Sequence, residues 1–309
     1  MISILVPVYN RNVTALVTDL QRQGIESGVP FEILVADDAS DQTPVKDANG
    51  VLGQLARVGY YSLAQNIGVR RLREEMAARA IHPNLLLIDA DAAVPDGQYF
   101  ARYAALADGK TVVFGGIVYP AEFRRDNLRW WYGVHRECAP ADKFNRRPGG
   151  FLTTFNLLIP RAVFAAASAT SASAADSGLL SGYGHEDTLL GMQLERDGVP
   201  VLHINNPLLH TGLSDNETFL RQTESAVSNL LALYRSFEPL PLLRKRSRLI
   251  RMFEWLRRLG LLRVYAAWFS ANESALRQQL LSAEPSLRAM DAYKLGKLVQ
   301  QYLTGPSFG

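Results

Sequence analysis

The stretch LLLIDADAAVPD, residues 85–96, runs four apolar residues straight into two carboxylates, Asp89 and Asp91, with only Ala90 between them. A buried strand gains nothing from two like charges at its end, because each costs several kcal/mol to desolvate and the two repel. The pair demands a counter-charge. One reading makes Asp91 or Asp96 the cap of a helix over Tyr99–Leu106. The other supplies a hard divalent ion, Mg2+ or Mn2+, which takes carboxylate oxygens and shares them with substrate phosphates.

The sequence around this stretch alternates strands and helices. SILVPVY (3–9), FEILVAD (31–37), ARVGYYSL (56–63) and NLLLIDA (84–90) have strand character, and Thr14–Gln23 and Ile67–Ala80 have helical character. Strands so continuously apolar are covered on both faces, which predicts an α/β fold with a doubly wound, mainly parallel sheet and ligands at its carboxyl ends. Tyr9 and Asn10, Asp37 and Asp38, Asn66 and Gly68, and Asp89 and Asp91 follow the four strands.

Further on, TVVFGGIVYP (111–120) predicts another strand, and the aromatic, Arg-rich segment 122–150 reads as a long functional loop. FLTTFNLLIPR (151–161) returns to strand character, and 165–178 is a small-residue stretch, part helix and part loop. GYGHEDTLLGMQLERDG (182–198) is a glycine-rich turn feeding a helix, and 199–212 a short strand and turn. The remainder from Ser214 is helical.

The chain has 309 residues, 48% of them hydrophobic, enough to bury a large core. Its single cysteine, Cys138, has no internal partner, its start lacks a signal-peptide pattern, and no apolar run reaches a membrane span, so a cytoplasmic location is expected. Net charge is +3, yet Leu240–Arg263 holds eight basic residues against Glu254, a local +7 that leaves −4 elsewhere. This segment reads either as amphipathic helices lying peripherally on an anionic inner leaflet or as a helical cap with solvated arginines; it does not suggest nucleic-acid binding.

The other polar residues each carry two readings. Asp37 and Asp38 suit an Asx turn or hydrogen bonds to a nucleotide base or ribose. Tyr9 is an ordinary strand tyrosine or stacks on a base. Glu186 and Asp187 profit from the helix dipole in a first turn, and one of them, after the glycines Gly182 and Gly184, could act as a general base. His210 is a satisfied loop histidine or a third metal ligand. His82, His135 and His185 have no evident partner, and His203 lies within a strand pattern.

Taken in order, SILVPVYN, VADDASDQT, AQNIGVRRLRE, LLLIDADAAV, FNLLIPRAVF and GYGHEDTLLGMQLERDG resemble the family 2 inverting glycosyltransferases of the GT-A fold, over residues 2 to about 235. The resemblance implies a nucleotide-sugar donor, expected to be a UDP-sugar, with Pro7, Tyr9, Asn10, Asp37 and Asp38 around base and ribose. Asn66, Gly68 and Arg70 or Arg71 would lie toward the diphosphate, beside Asp89 and Ala90. It implies Mn2+ or Mg2+ on Asp89, Asp91 and His210. Asp187 would be the catalytic base, with Glu186 adjacent. The composition of the RWWYGVHRE loop, with aromatic faces for sugar rings and Arg for acidic groups, places Trp130 and Trp131, and with them Asn156 and His185, toward a glycan or lipid-linked saccharide acceptor of bacterial cell-surface polysaccharide synthesis. Arg147 and Gly150 would extend that acceptor loop. Ala39 departs from the family pattern, which has Gly or Asn there.

This divides the chain into a catalytic domain, 1–235, with a nucleotide-binding half (1–118) and an acceptor half (119–235), and a basic helical region, 236–309. Two other functions use similar folds: an inactive sugar- or nucleotide-binding scaffold, and a sugar nucleotidyltransferase. The second needs a glycine-rich basic loop after the first strand, where VPVYNRN stands instead.

Overall fold

All seven residues of Ile2–Val8 are buried in the computed structural model, as a run without polar alternation requires. The structure describes residues 1–122, 126–146, 151–176, 184–236 and 240–305, with the backbone alone for 170–176. In chain order the elements are β1 (Ile2–Val8), α1 (Thr14–Ser27), β2 (Phe31–Asp37), α2 (Thr43–Gly50), β3 (Val58–Ser62), α3 (Val69–Arg79), β4 (Asn84–Ile88), β5 (Ala92–Ala93) and α4 (Tyr99–Ala104). Next come β6 (Val112–Phe114), β7 (Ile117–Val118), α5 (Leu128–Arg136), α6 (Ala141–Asn145), β8 (Asn156–Pro160), α7 (Arg161–Asp176), α8 (Glu186–Arg196), β9 (Val201–His203) and β10 (Leu208–His210). The chain continues through α9 (Asn216–Ser236), α10 (Leu240–Arg246), α11 (Arg248–Arg258), α12 (Leu262–Leu280) and α13 (Leu287–Thr304).

Two compact units emerge: Met1–Pro120 with Cys138–Thr170 and Gln193–Gly212, and Ala121–Glu137 with Ser171–Met192 and Leu213–Gly309. Among the described residues the first unit holds a seven-stranded sheet in the order β3-β2-β1-β4-β8-β6-β9 and a three-stranded sheet, β5-β10-β7. The β1–β2, β1–β4, β2–β3 and β6–β9 pairs are parallel, and β8 runs antiparallel to β4 and β6. Pro7 is tolerated in an interior strand because the β1–β4 ladder ends at Leu5–Leu87, before the N–H that proline lacks would be required.

Residues 111–120, expected as one strand, form two. Gly116 has φ +97°, and a methyl group on Gly115 would strike the Tyr103 hydroxyl, the Asn206 carbonyl and, at 2.6 Å, Asn156 Nδ2. The chain turns there and feeds β6 into the large sheet and β7 into the small one. The expected loop at 122–150 also contains helices. Asn127 caps α5 by accepting from Trp130 N at 2.8 Å, and α6 follows Pro140.

Asn156, expected at an acceptor site, is instead fully buried. Its Oδ1 accepts from the Tyr99 and Tyr103 hydroxyls, both at 2.7 Å, and its Nδ2 donates to Gly116 O at 2.8 Å and Asn206 O at 2.9 Å. Every hydrogen-bonding group of the amide is used, which leaves it no capacity for a ligand. His203 is buried between Phe114 and Phe144, with ring centroids 5.5 and 5.1 Å away, as its strand position suggests.

The second unit is helical. Leu189, Val227, Leu243, Phe253 and Leu298 mark one apolar cluster, and Leu128, Phe219, Phe269 and Tyr293 mark another. Helices α12 and α13 approach closely because Gly296 has no side chain where the Phe269 ring lies. Among the described residues no helix is long and apolar enough to cross a membrane.

Two stability measurements test this architecture. Asn156→Ala strands two tyrosine hydroxyls and two carbonyls in the core, and urea unfolding should show a loss of about 3 kcal/mol or more; a loss under about 1 kcal/mol would mean that the network is dispensable. Burial holds His203 at about 4, against 6.5 for the free side chain. Between those values the unfolded chain binds the proton and the folded chain does not, so stability falls as pH drops from 6.5 toward 4 and is insensitive to His203 above that window. His203→Phe should reduce the slope in that window, read by thermal unfolding across pH.

Candidate active site

The carboxyl ends of β1 and β2 are tied together by side chains. Asp37, buried at the end of β2, accepts from Ser40 N at 2.6 Å through Oδ1 and from the Tyr60 hydroxyl at 3.3 Å through Oδ2. Burial first, and the Asp37 charge second, push Tyr60 up to about 12, which keeps it a hydroxyl donor. Asp38, also buried, accepts from Ile67 N at 2.8 Å and Gly68 N at 2.9 Å, the two amides that lead into α3. Asn66 returns the contact by donating Nδ2 to Asp38 O at 3.1 Å. Asn10, at φ +51°, accepts from Asp41 N and Gln42 N at 3.0 and 3.3 Å.

Asp37 thus closes the turn through the amide three residues on, and Asp38, Asn10 and Asn66 also serve loop geometry with the atoms described. Ala39, between them, has φ +57°. That left-handed conformation costs a residue with a Cβ roughly 1–2 kcal/mol, and it is the physical reason for Gly or Asn at this place in the resembled family. Tyr9 is left 51% exposed beside this scaffold, after the buried Pro7.

At the end of β4, Asp89 is ion-paired with Arg73 of α3, whose side chain is 12% exposed. The expectation placed Arg70 or Arg71 near this region. Arg70 pairs with Glu74 at 2.7 Å, and Arg71 is exposed. Residue spacing gives no hint that Arg73 is the one that reaches Asp89, because the contact depends on how α3 lies against the sheet.

Two residues past Asp89, the small sheet takes over. Strand β10 pairs antiparallel with β5, with His210 opposite Ala92, which brings His210 Nδ1 within 3.8 Å of Asp91 Oδ2 across 119 positions of sequence. Thr211 locks the register by donating its N–H and its hydroxyl to Asp91 O, both at 2.8 Å. The His210 ring lies between Phe155 and Tyr119, centroids 4.9 and 5.4 Å away and nearly parallel to both. Gly212 completes the corner: a methyl group there would meet Asp91 Oδ2 at 2.5 Å and Arg11 at 2.6 Å.

This arrangement suits a divalent ion in part. Asp91 and His210 offer an oxygen and an imidazole nitrogen side by side, the donor types that Mn2+ accepts, and Gly212 keeps the Asp91 carboxylate uncrowded on one side. Asp89 would join them by exchanging its arginine for the ion. Among the described residues no three His, Cys, Asp or Glu side chains already stand together as a metal cluster.

In the second unit, Glu186 and Asp187 open α8, where the helix dipole favours negative charge. The turn before them passes through positive φ twice: Gly184 at +105°, which glycine adopts freely, and His185 at +76°, which a residue with a Cβ disfavours. A methyl group on Gly184 would meet Ala226 Cβ at 2.7 Å, and Asn229 Nδ2 holds the Gly184 carbonyl at 3.0 Å. His185 Nδ1 lies 3.0 Å from Thr188 Oγ1; burial first, and the Lys294 charge second, lower its pKa to about 4 and keep the ring neutral. Trp130 and Trp131 are half-buried on α5, with Trp131 4.7 Å from the His135 ring. Gly182, Arg147 and Gly150, expected in this region, lie outside the described residues.

A profile of glycosyl transferase family 2 matches residues 3–168. Comparison with functionally curated sequences gives no match. Among solved structures, the mannosyltransferase PcManGT from Pyrobaculum calidifontis in complex with GDP-Man and Mn2+ has a TM-score of 0.57 at 16% identity, covering 98% of this chain and 87% of its own. Mannosyl-3-phosphoglycerate synthase from Rubrobacter xylanophilus has a TM-score of 0.52 at 15% identity, covering 78% and 76%. TarS 1–349 of S. aureus in complex with UDP-GlcNAc has a TM-score of 0.50 at 16% identity, covering 100% and 93%. At these identities the structures speak for the fold, and the profile, spanning more than half of the sequence, speaks for descent. With its strand-end carboxylates and sheet order in place, the chain is a glycosyltransferase of family 2, built on the GT-A fold.

Proposed function

We propose that this protein is a metal-dependent inverting transferase that moves a sugar from a nucleoside-diphosphate sugar to a hydroxyl of a glycan or lipid-linked saccharide. The observation that carries the reading is the corner where β10 brings His210 to Asp91, two residues beyond Asp89. The sugar nucleotides GDP-Man and UDP-GlcNAc in the solved neighbours support the donor class and leave the base open between guanine and uracil. We keep the UDP-sugar expected from the sequence as the first donor to test, and residues 1–235 as the catalytic region.

The chain's residues divide the work. Tyr9 offers its exposed ring to the base, at the edge of the loops that Asp37, Asp38 and Asn66 hold in place. Asp89, Asp91 and His210 would hold Mn2+ or Mg2+, which when bound supplies positive charge to the departing diphosphate. Arg73, released from Asp89, would offer its charge to a phosphate. Asp187 takes the proton from the acceptor hydroxyl, which then attacks the anomeric carbon; the C–O bond to the diphosphate breaks as the new one forms, and configuration inverts. This role rests on its place in the HED motif. Trp130 and Trp131 are proposed to pack against acceptor sugars.

Two variants separate these roles. Asp91→Asn should weaken Mn2+-dependent binding of the nucleotide by about tenfold or more in titration calorimetry, equivalent to about 1.4 kcal/mol; unchanged binding would remove Asp91 from the metal site. Asp187→Asn should bind donor within about twofold of the parent and lose transfer by ~100- to 10,000-fold, the range typical for a general base. Retained transfer would pass the role to Glu186 or end the assignment. Incubation with a panel of nucleotide sugars and Mn2+ should release nucleoside diphosphate; release of pyrophosphate from a triphosphate, or no turnover on any donor, would favour the nucleotidyltransferase or the scaffold.

A further inference from the structure

Helices α11 and α12, with the turn that joins them, carry exposed apolar residues at matching spacings. Met252, Trp255 and Leu259 follow one another at i, i+3 and i+7, and so do Leu261, Val264 and Trp268. The first stripe ends and the second begins at Gly260, whose φ of +71° makes the turn between the helices. These are not residues left over from a core. The inner faces of the same helices bury Ile250, Phe253, Leu256, Leu262 and Phe269. The outer faces leave Trp255 56% and Val264 66% exposed.

The charge on this surface has one sign. Arg248, Arg251, Arg257, Arg258 and Arg263 are exposed, and the only acid between Leu240 and Phe269 is Glu254. Glu254 is buried and held by Arg244 at 2.5 and 2.6 Å, so its charge is spent inside the unit. What faces outward is an apolar double stripe edged by arginines. Long cationic side chains beside exposed tryptophan match the boundary between anionic headgroups and acyl chains, where indole rings settle and guanidinium groups reach phosphates.

We infer that the Met252–Trp268 face docks this protein on an anionic lipid surface, with both stripes lying in the interface plane. An uncharged bilayer would offer no counter-charge to Arg248, Arg257, Arg258 and Arg263, and a nucleic acid would leave the aliphatic stripe in water. The surface acts without crossing the bilayer, consistent with the absence among the described residues of any spanning helix. The inference stands independently of the proposed transfer reaction.

Flotation of the full chain with vesicles tests it. Vesicles of phosphatidylcholine with about 30% phosphatidylglycerol should carry the protein, and pure phosphatidylcholine or high salt should not. Arg248→Gln and Arg258→Gln should each lower partitioning roughly fivefold, the equivalent of about 1 kcal/mol per cation at the surface. Trp255→Ser with Trp268→Ser should abolish the quenching of tryptophan emission by brominated acyl chains. Should the tryptophan pair unfold, the arginine variants and quenching in the parent chain decide the matter. Equal binding to both vesicle types, no binding at low salt, or a dimer that Trp255→Ser dissociates would overturn the inference; because no donor is present, that result would leave the transfer reaction untouched.

Discussion

Negative charge collects where the strands of the large sheet end, and the loops around it are shaped by the need to satisfy that charge. Each acid finds a different answer. Asp37 takes the Ser40 amide, Asp38 takes two amides at the start of α3, Asp89 takes Arg73, and Asp91 stands beside His210. A buried or half-buried carboxylate without such a partner would cost several kcal/mol, so each of these contacts also positions a segment of chain. The βα turns are held by the same groups that mark the site.

This double duty changes which residues are open to chemistry. Asp37, Asp38, Asn10 and Asn66 look like ligands in the sequence because they are polar and lie at strand ends, yet the atoms described are engaged with backbone amides and carbonyls. What they supply in the structure is the loop shape they enforce. Asn156 goes further, being wholly absorbed by Tyr99, Tyr103, Gly116 and Asn206. Tyr9, which is half exposed, and the Asp91–His210 corner are what the scaffold presents.

In the helical unit the arginines follow the same logic. Arg244 is drawn to the buried Glu254, while Arg248, Arg251 and Arg258 stay on the outside with Trp255. A count of charges over Leu240–Arg263 treats them alike. Burial separates them, because only an arginine with an acid partner can be drawn toward the core without a large desolvation cost.

Continuous apolar runs and their helical spacers were enough to set out β1, α1, β2, β3, α3 and β4, since periodicity and burial are local properties. The ordered motifs were enough to indicate the family. The antiparallel course of β8, the break at Gly115–Gly116, the helices α5 and α6, and the Arg73–Asp89 pair were not legible, because each depends on a neighbour distant in sequence. Residue types and spacing therefore determined that acids stand at the ends of a wound sheet. Only tertiary structure decided which acids are spent on the fold and which, like Asp91 beside His210, meet a partner from another strand, because electrostatic and hydrogen-bonding partners are chosen by distance in space and not along the chain.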